Sequence, residues 1–242
     1  SRSLSRSPFN SFLMKPFSNS DLRAKIREYT LKKRLRQFVS DQVYERMQQG
    51  FEWMKFRRCT ASVLFCDIRG FSRMSEKISK EELSFLLNSG FFSPLDDIVC
   101  EHGGMLDKHI GDSIMAVFGV LADEDQAARQ AVTCARKMIE QMSREAVSGD
   151  APSINVGIGI GSGEVMAGLF GSARKKEYTV FGSPVNVAAR LEGMARSGEI
   201  LICEQTGKML GNDPSLRPLE AVQLKGMDRE IKIFTVAEDK QV

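Results

Sequence analysis

The chain has little of what marks several large functional classes. Its 242 residues include one tryptophan, three tyrosines and two histidines, and His102 and His109 have no metal-ligand spacing. The five cysteines, Cys59, Cys66, Cys100, Cys134 and Cys203, are odd in number, scattered and without a C-x-x-C pair. That pattern argues against a disulfide framework or a zinc site and fits reduced thiols in a cytosolic setting. No apolar run approaches the roughly 20 residues that span a bilayer, and no signal peptide is evident. A net charge of +3 is too small to imply nucleic-acid binding. The glycine-rich Gly157-x-Gly159-x-Gly161 has neither the spacing nor the following helix of a dinucleotide loop, so its glycines are expected to permit close packing or a bulge. The first residue is Ser rather than Met, and the sequence reads as a segment of a longer protein.

What is present is ordinary for a globular protein: 42% hydrophobic and 27% charged residues, with length for one sizeable domain plus an extension. Residues 1–20 are rich in Ser, Phe, Asn and Pro without periodicity and read as a flexible N-terminal segment. Residues 21–56 read as a basic helical linker, opened by Asp21 as a cap and ended by Gly50. Leu22, Ile26, Leu35, Phe38, Val39, Val43 and Met47 offer partial apolar faces, and Arg23, Lys25, Arg27, Lys32, Lys33, Arg34 and Arg36 supply the charge. Two readings stand for it: a membrane-surface or signal-transmitting helix joined to an upstream region, or a solvated linker.

Residues 57–242 carry the domain. Ala61–Cys66 is a short apolar run of strand length that ends at Asp67, followed by Arg69-Gly70-Phe71-Ser72. A hard carboxylate oxygen beside a glycine turn suits a metal-bound phosphate. Residues 105–119 read as two strands joined by the tight turn Gly111-Asp112. If this hairpin pairs beside the Asp67 strand, the two carboxylates converge on one edge of the sheet, where two divalent ions could be held. Ser79-x-x-Glu82 is a capping box that opens a helix, which Pro94 should kink or divide and His102-Gly103-Gly104 should stop. A second helix starts near Asp123-Glu124-Asp125, with Ala128 to Met142 as core positions. Strand character follows over Ile154–Gly161 and Val165–Phe170. Ser183 as N-cap and Pro184 at the first helical position predict a third helix, with Asn186 and Arg190 on one face. A strand over residues 199–203 and a hairpin around Gly226 end the chain. This order suits an α+β, ferredoxin-like sheet with helices packed on one face.

Three motifs occur in order: Phe65-x-Asp67-Ile68-x-Gly70-Phe71-Ser72, Lys108-x-x-Gly111-Asp112-x-x-x-Ala116-x-Phe118-Gly119, and Tyr178-Thr179-x-x-Gly182-x-x-Val185-Asn186-x-Ala188-x-Arg190. Together they resemble the class III nucleotide cyclase catalytic domain, over about residues 57–237. The resemblance implies the palm-like cyclase fold and conversion of ATP to 3′,5′-cyclic AMP and pyrophosphate. It implies that Asp67, Asp112 and the Ile68 carbonyl hold two divalent cations, Mg²⁺ or Mn²⁺, and that the backbone of Gly70, Phe71 and Ser72 receives phosphates. Asn186 would orient the ribose and Arg190 would stabilise the transition state. Lys225 matches a phosphate-binding lysine less closely, while Lys108 and Thr179 would meet the base. An ammonium donor paired with a hydroxyl acceptor complements adenine, and Thr179, where adenylate cyclases often carry Asp, resembles a Thr-bearing subgroup. Glu164 departs from an arginine found in some relatives, whose task would pass to Arg174 or Lys225.

The resemblance further implies a head-to-tail homodimer with two shared sites. It also implies an upstream sensor or membrane domain in the full-length protein, with the catalytic domain in the cytoplasm. The alternatives are a guanylate cyclase, an inactive regulatory or dimerisation module, and a dinucleotide-forming cyclase, whose Gly-Gly-Asp/Glu-Glu-Phe signature is missing at Gly111–Ile114.

Overall fold

The structure, a computed structural model, describes residues 18–35, 43–44, 54–121, 123–148, 154–224 and 230–237. The expectations for residues 1–17, Gly50, Lys225 and Gly226 lie outside these. Helix α1 (Asn19–Leu35) begins two residues earlier than the sequence reading, and its cap is Ser18 rather than Asp21. Ser18 Oγ accepts from the Asp21 backbone N–H at 3.2 Å while the Asp21 carboxylate accepts from the Ser18 N–H at 2.8 Å. Asp21 thus takes the inner role of a reciprocal cap. Leu22 and Ile26 remain exposed on this helix.

Strand β1 (Arg57–Ile68) forms the middle of the sheet because both of its faces are buried between Ala61 and Cys66, with Ser62 the one polar residue in that stretch. A turn at Gly70, with φ 75°, leads into the short helix α2 (Phe71–Ser75). Helix α3 (Lys80–Phe85) opens with the expected Ser79/Glu82 capping box. It is continuous with a π-helical stretch, Leu86–Phe92, and then with α4 (Ser93–Glu101). Pro94 therefore divides the helix as its missing N–H dictates, and the wider turn ahead of it absorbs the break.

Strands β2 (Met105–Ile110) and β3 (Ser113–Phe118) form the expected hairpin, and β3 pairs with β1 in a register that sets Asp67 opposite Ser113. A 3₁₀ turn, Glu124–Gln126, capped by Asp123, precedes α5 (Ala127–Ser148). The two strand stretches expected after residue 154 are one strand, β4 (Val156–Gly171), paired along β1 from end to end. Strand β5 (Lys176–Phe181) folds back on β4, and α6 (Ser183–Met194) follows. Its N-cap is Gly182, not Ser183, and no side chain caps it; Pro184 sits in the first turn as expected. Strand β6 (Ile200–Cys203) runs parallel to β4, and α7 (Glu204–Leu210) is a helix the sequence reading did not propose. The tail forms β7 (Leu216–Pro218), β8 (Val222–Gln223), β9 (Glu230–Ile231) and β10 (Ile233–Val236). The main sheet runs β2-β3-β1-β4-β6-β10-β7, with β5 attached to β4.

The α+β, ferredoxin-like class is as expected, with one refinement. Leu64, Cys66, Ile158 and Ile160 point to the face covered by Phe91, Leu95, Val99, Ala131 and Met138 of α4, α5 and the π turn. Val63 and Phe65 point the other way, into a second core that includes Ala188 of α6. The third helix thus lies opposite the other two. The glycines explain how: a Cβ on Gly159 would lie 2.1 Å from the Glu192 nitrogen, and one on Gly161 would lie 2.5 Å from the Pro184 carbonyl. Alternate glycines let the α6 backbone rest on β4, as their spacing suggested. Leu191, fully buried, adds about 1.5–3 kcal/mol to this seat.

Candidate active site

Asp67 lies near the end of β1 on the α6 face, because it shares that face with Val63 and Phe65. Its carboxylate accepts from Ser113 Oγ at 2.5 Å and from Arg69 Nη2 at 3.1 Å. The same Arg69 nitrogen also pairs with Glu192 of α6, and Arg69 Nη1 donates to the Ala195 carbonyl at 3.4 Å. A Cβ on Gly157 would meet Arg69 Nε at 2.8 Å, so this glycine makes room for the guanidinium. Arg69 thereby ties the end of β1 to the end of α6.

The tight β2–β3 turn brings Asp112 to the same edge. Asp67, Ile68, Arg69, Gly70, Phe71, Ser72, Arg73 and Asp112 line one cavity of about 440 Å³. Burial, and then the Asp67 charge facing it, push the Asp112 carboxyl above the ordinary carboxylate range. Two carboxylates that repel one another in a cavity floored by a glycine turn form a donor set that fits hard divalent cations. Among the described residues no group of three or more His, Cys, Asp or Glu could hold a metal. Ions here would therefore draw their remaining oxygens from Ile68, water and phosphate, which is the habit of Mg²⁺.

Asn186 and Arg190 share the solvent side of α6, since Val187, Ala188 and Leu191 face the sheet. Asn186 is exposed and Arg190 half-buried, and neither side chain bonds to a described residue. They do not line the Asp67 cavity. Glu164 makes an exposed contact with Arg58, at 3.7 Å.

Lys108 of β2 and Thr179 of β5 are linked through Glu177 and Asp107. Lys108 Nζ donates to the Glu177 carboxylate at 2.8 Å and lies 3.5 Å from Asp107 Oδ2. Burial alone would lower the Lys108 ammonium, but Glu177 and Asp107 outweigh it and its pKa is raised. Glu177 is held down to about 2 by hydrogen bonds from Lys108 and Lys175. Thr179 is buried, its hydroxyl alongside the Asp107 carboxyl. Arg69, Asp107, Glu177 and Glu192 were not singled out from sequence. A carboxylate at the centre of the strand 105–110 was the one available signal for Asp107.

The family model for the adenylate and guanylate cyclase catalytic domain matches residues 55–238. An adenylate cyclase of Anabaena cylindrica is 37% identical over 188 residues, 74% of this chain, and the match spans 37% of that protein's length. Among solved structures, the adenylyl cyclase CyaB from P. aeruginosa superposes with a TM-score of 0.70 at 29% identity, covering 77% of this chain and 98% of that one. The guanylyl cyclase Cya2 superposes equally well, at 0.70 and 29%, over 78% of this chain and 98% of that one.

Proposed function

Because the chain belongs to the adenylate and guanylate cyclase catalytic domain family, we propose that it is an adenylate cyclase that makes 3′,5′-cyclic AMP and pyrophosphate from ATP. The observation that carries this reading is the meeting of Asp67 and Asp112 with the Gly70–Ser72 turn in one cavity. Family members depend in general on divalent metal. Asp67, Asp112 and the Ile68 carbonyl would hold two such ions, Mg²⁺ or Mn²⁺, which when bound supply positive charge to the 3′-hydroxyl and the triphosphate.

The protein's own groups have separate tasks. The backbone of Gly70, Phe71 and Ser72 receives phosphate oxygens, and Ser113 and Arg69 fix the Asp67 carboxylate in one orientation. Asn186 holds the ribose. Arg190 offers an unspent guanidinium to the charge that grows on the transferring phosphoryl group. Lys108 and Thr179 receive the base as donor and acceptor, which favours ATP; Lys225 is assigned a phosphate. Cya2 supports the runner-up, a guanylate cyclase, and an inactive regulatory module remains the reading from another class.

A site split between two copies of the chain fits Asn186 and Arg190, which face solvent away from the Asp67 cavity. Phe56 and Phe181, 61% and 55% exposed, pack against Phe170 as an aromatic surface that a second copy would cover. The basic helix α1 is proposed to transmit a signal from an upstream sensor or membrane domain, with the catalytic domain in the cytoplasm. No described helix is long and apolar enough to cross a membrane.

The test is turnover of ATP and of GTP with Mg²⁺ or Mn²⁺, products separated by chromatography. Cyclic AMP that disappears in Asp67→Ala supports the reading; cyclic GMP alone moves it to the runner-up; no product from a dimeric sample favours the regulatory module. Mixing Asp67→Ala with Arg190→Ala chains should restore activity, and a mixture as inactive as its parts would count against shared sites.

A further inference from the structure

Strand β2 is irregular at one place. Leu106 pairs with Ala116 and Lys108 with Met115, so Asp107 is the extra residue of a β-bulge. Bulges re-aim a side chain and are common beside active sites. Here the bulge turns a carboxylate inward: the Asp107 side chain is 0% exposed, and neither of its oxygens has a hydrogen bond of good geometry to a described residue. An enclosed carboxylate without a donor is costly to keep and calls for an explanation. Its polar neighbours are Lys108 Nζ at 3.5 Å and the Thr179 hydroxyl. The ammonium is engaged by Glu177 at 2.8 Å, which leaves the hydroxyl as the group whose state Asp107 can decide.

We propose that Asp107 is a positioning residue that draws the hydrogen of the Thr179 hydroxyl to itself, making Thr179 an acceptor toward the nucleotide base and so selecting adenine over guanine. The inference rests on the cyclase reading above and on Lys108 and Thr179 meeting the base. A threonine hydroxyl alone is indifferent, because it donates or accepts as its hydrogen rotates. A carboxylate only accepts, so the hydrogen turns to Asp107 and a lone pair faces the ligand. Adenine presents an amino donor to that lone pair and a ring-nitrogen acceptor to the Lys108 ammonium. Guanine presents an oxygen acceptor and an N–H donor at the same two places, and both pairings fail. Polar groups left unpaired in a closed site give strong rejection.

The experiment compares kcat/KM for ATP and GTP in wild type, Asp107→Asn and Thr179→Val, with α,β-methylene-ATP and α,β-methylene-GTP binding measured calorimetrically alongside. Asn can donate to the Thr179 oxygen and release its hydrogen, so the ATP-to-GTP ratio should fall about tenfold or more in both readouts. In a Thr179→Val background the Asp107 change should add nothing, because its intermediary is gone. Asp107→Leu, apolar and suited to an enclosed position, should also lose the preference, and it decides the matter if Asp107→Asn does not fold. A ratio that holds while both turnovers drop together, or that falls equally in the Val background, overturns the inference and leaves the cyclase reading intact. Wild type that makes neither product, or prefers GTP, overturns the reading beneath it as well.

Discussion

Replacing Gly159 by alanine tests whether the seat of α6 on β4 holds the proposed site together. The added methyl carbon would stand 2.1 Å from the Glu192 nitrogen, 2.3 Å from the Ala188 carbonyl oxygen and 2.8 Å from the Glu192 Cα. All three are backbone atoms of one helix, so no side chain can swing aside. The helix must lift by about 1.4 Å to restore ordinary contact distances. Overpacking of this kind costs about 1–3 kcal/mol, which for a chain of this size lowers Tm by about 2–12 °C. Asn186 and Arg190 ride on the same helix, and a misplacement of about 1 Å in a positioned group can cost about 10²-fold in rate. Gly193→Ala is the control: it lies on the same helix with nothing within 4 Å, and should be neutral or stabilising by about 0.5–1 kcal/mol. Melting curves and cyclase rates for the two variants decide the matter. Equal Tm in both, or a Gly159→Ala enzyme with full activity, would refute the close-packing argument.

Ser79→Ala removes the capping box of α3 and should cost about 1 kcal/mol, seen as a Tm lower by about 2–4 °C with the Mg²⁺ dependence unchanged. Asp112→Asn should reduce turnover by at least about 10²-fold and abolish stabilisation by Mn²⁺, which in wild type should approach about 2.7 kcal/mol at roughly 100 times Kd; melts with Mn²⁺ or EDTA read both. Glu177 has a folded pKa depressed to about 2, so its contribution is present above the ordinary glutamate value and lost as pH falls toward 2. Glu177→Gln should therefore flatten the acid limb of a denaturation series between about pH 5 and pH 2. The difference should stay under about 1 kcal/mol, because the carboxylate is 45% exposed and screened by solvent.

The residues that could be read from sequence share one property: the neighbour that gives them meaning lies close in the chain or is announced by a turn. Asp67 stands before a glycine turn, Asp112 sits in a two-residue hairpin, and Asn186 and Arg190 are one helical turn apart. Ser79 and Glu82 cap each other across three residues, and their box forms as expected. Arg69, Glu177 and Glu192 each have, beside any near neighbour, a partner 69 or 123 residues away, and Asp107 sits in an irregular ladder; no local pattern encodes such placements. The helix caps show the same division at smaller scale. Ser18 and Gly182 displaced the expected Asp21 and Ser183 by three residues and one, because a cap is set by where the backbone leaves helical geometry. The one-face expectation failed for α6 for a related reason. Gly157, Gly159 and Gly161 were legible as a place of close approach, but which element would approach, and from which side, depends on strand phase against β1. That phase also sets Asp67 on the α6 face, where Arg69 can reach both its carboxylate and Glu192. The glycine stripe and the carboxylate edge are thus one structural decision, which is why a single methyl group at Gly159 is expected to be felt at the Asp67 end of the proposed site.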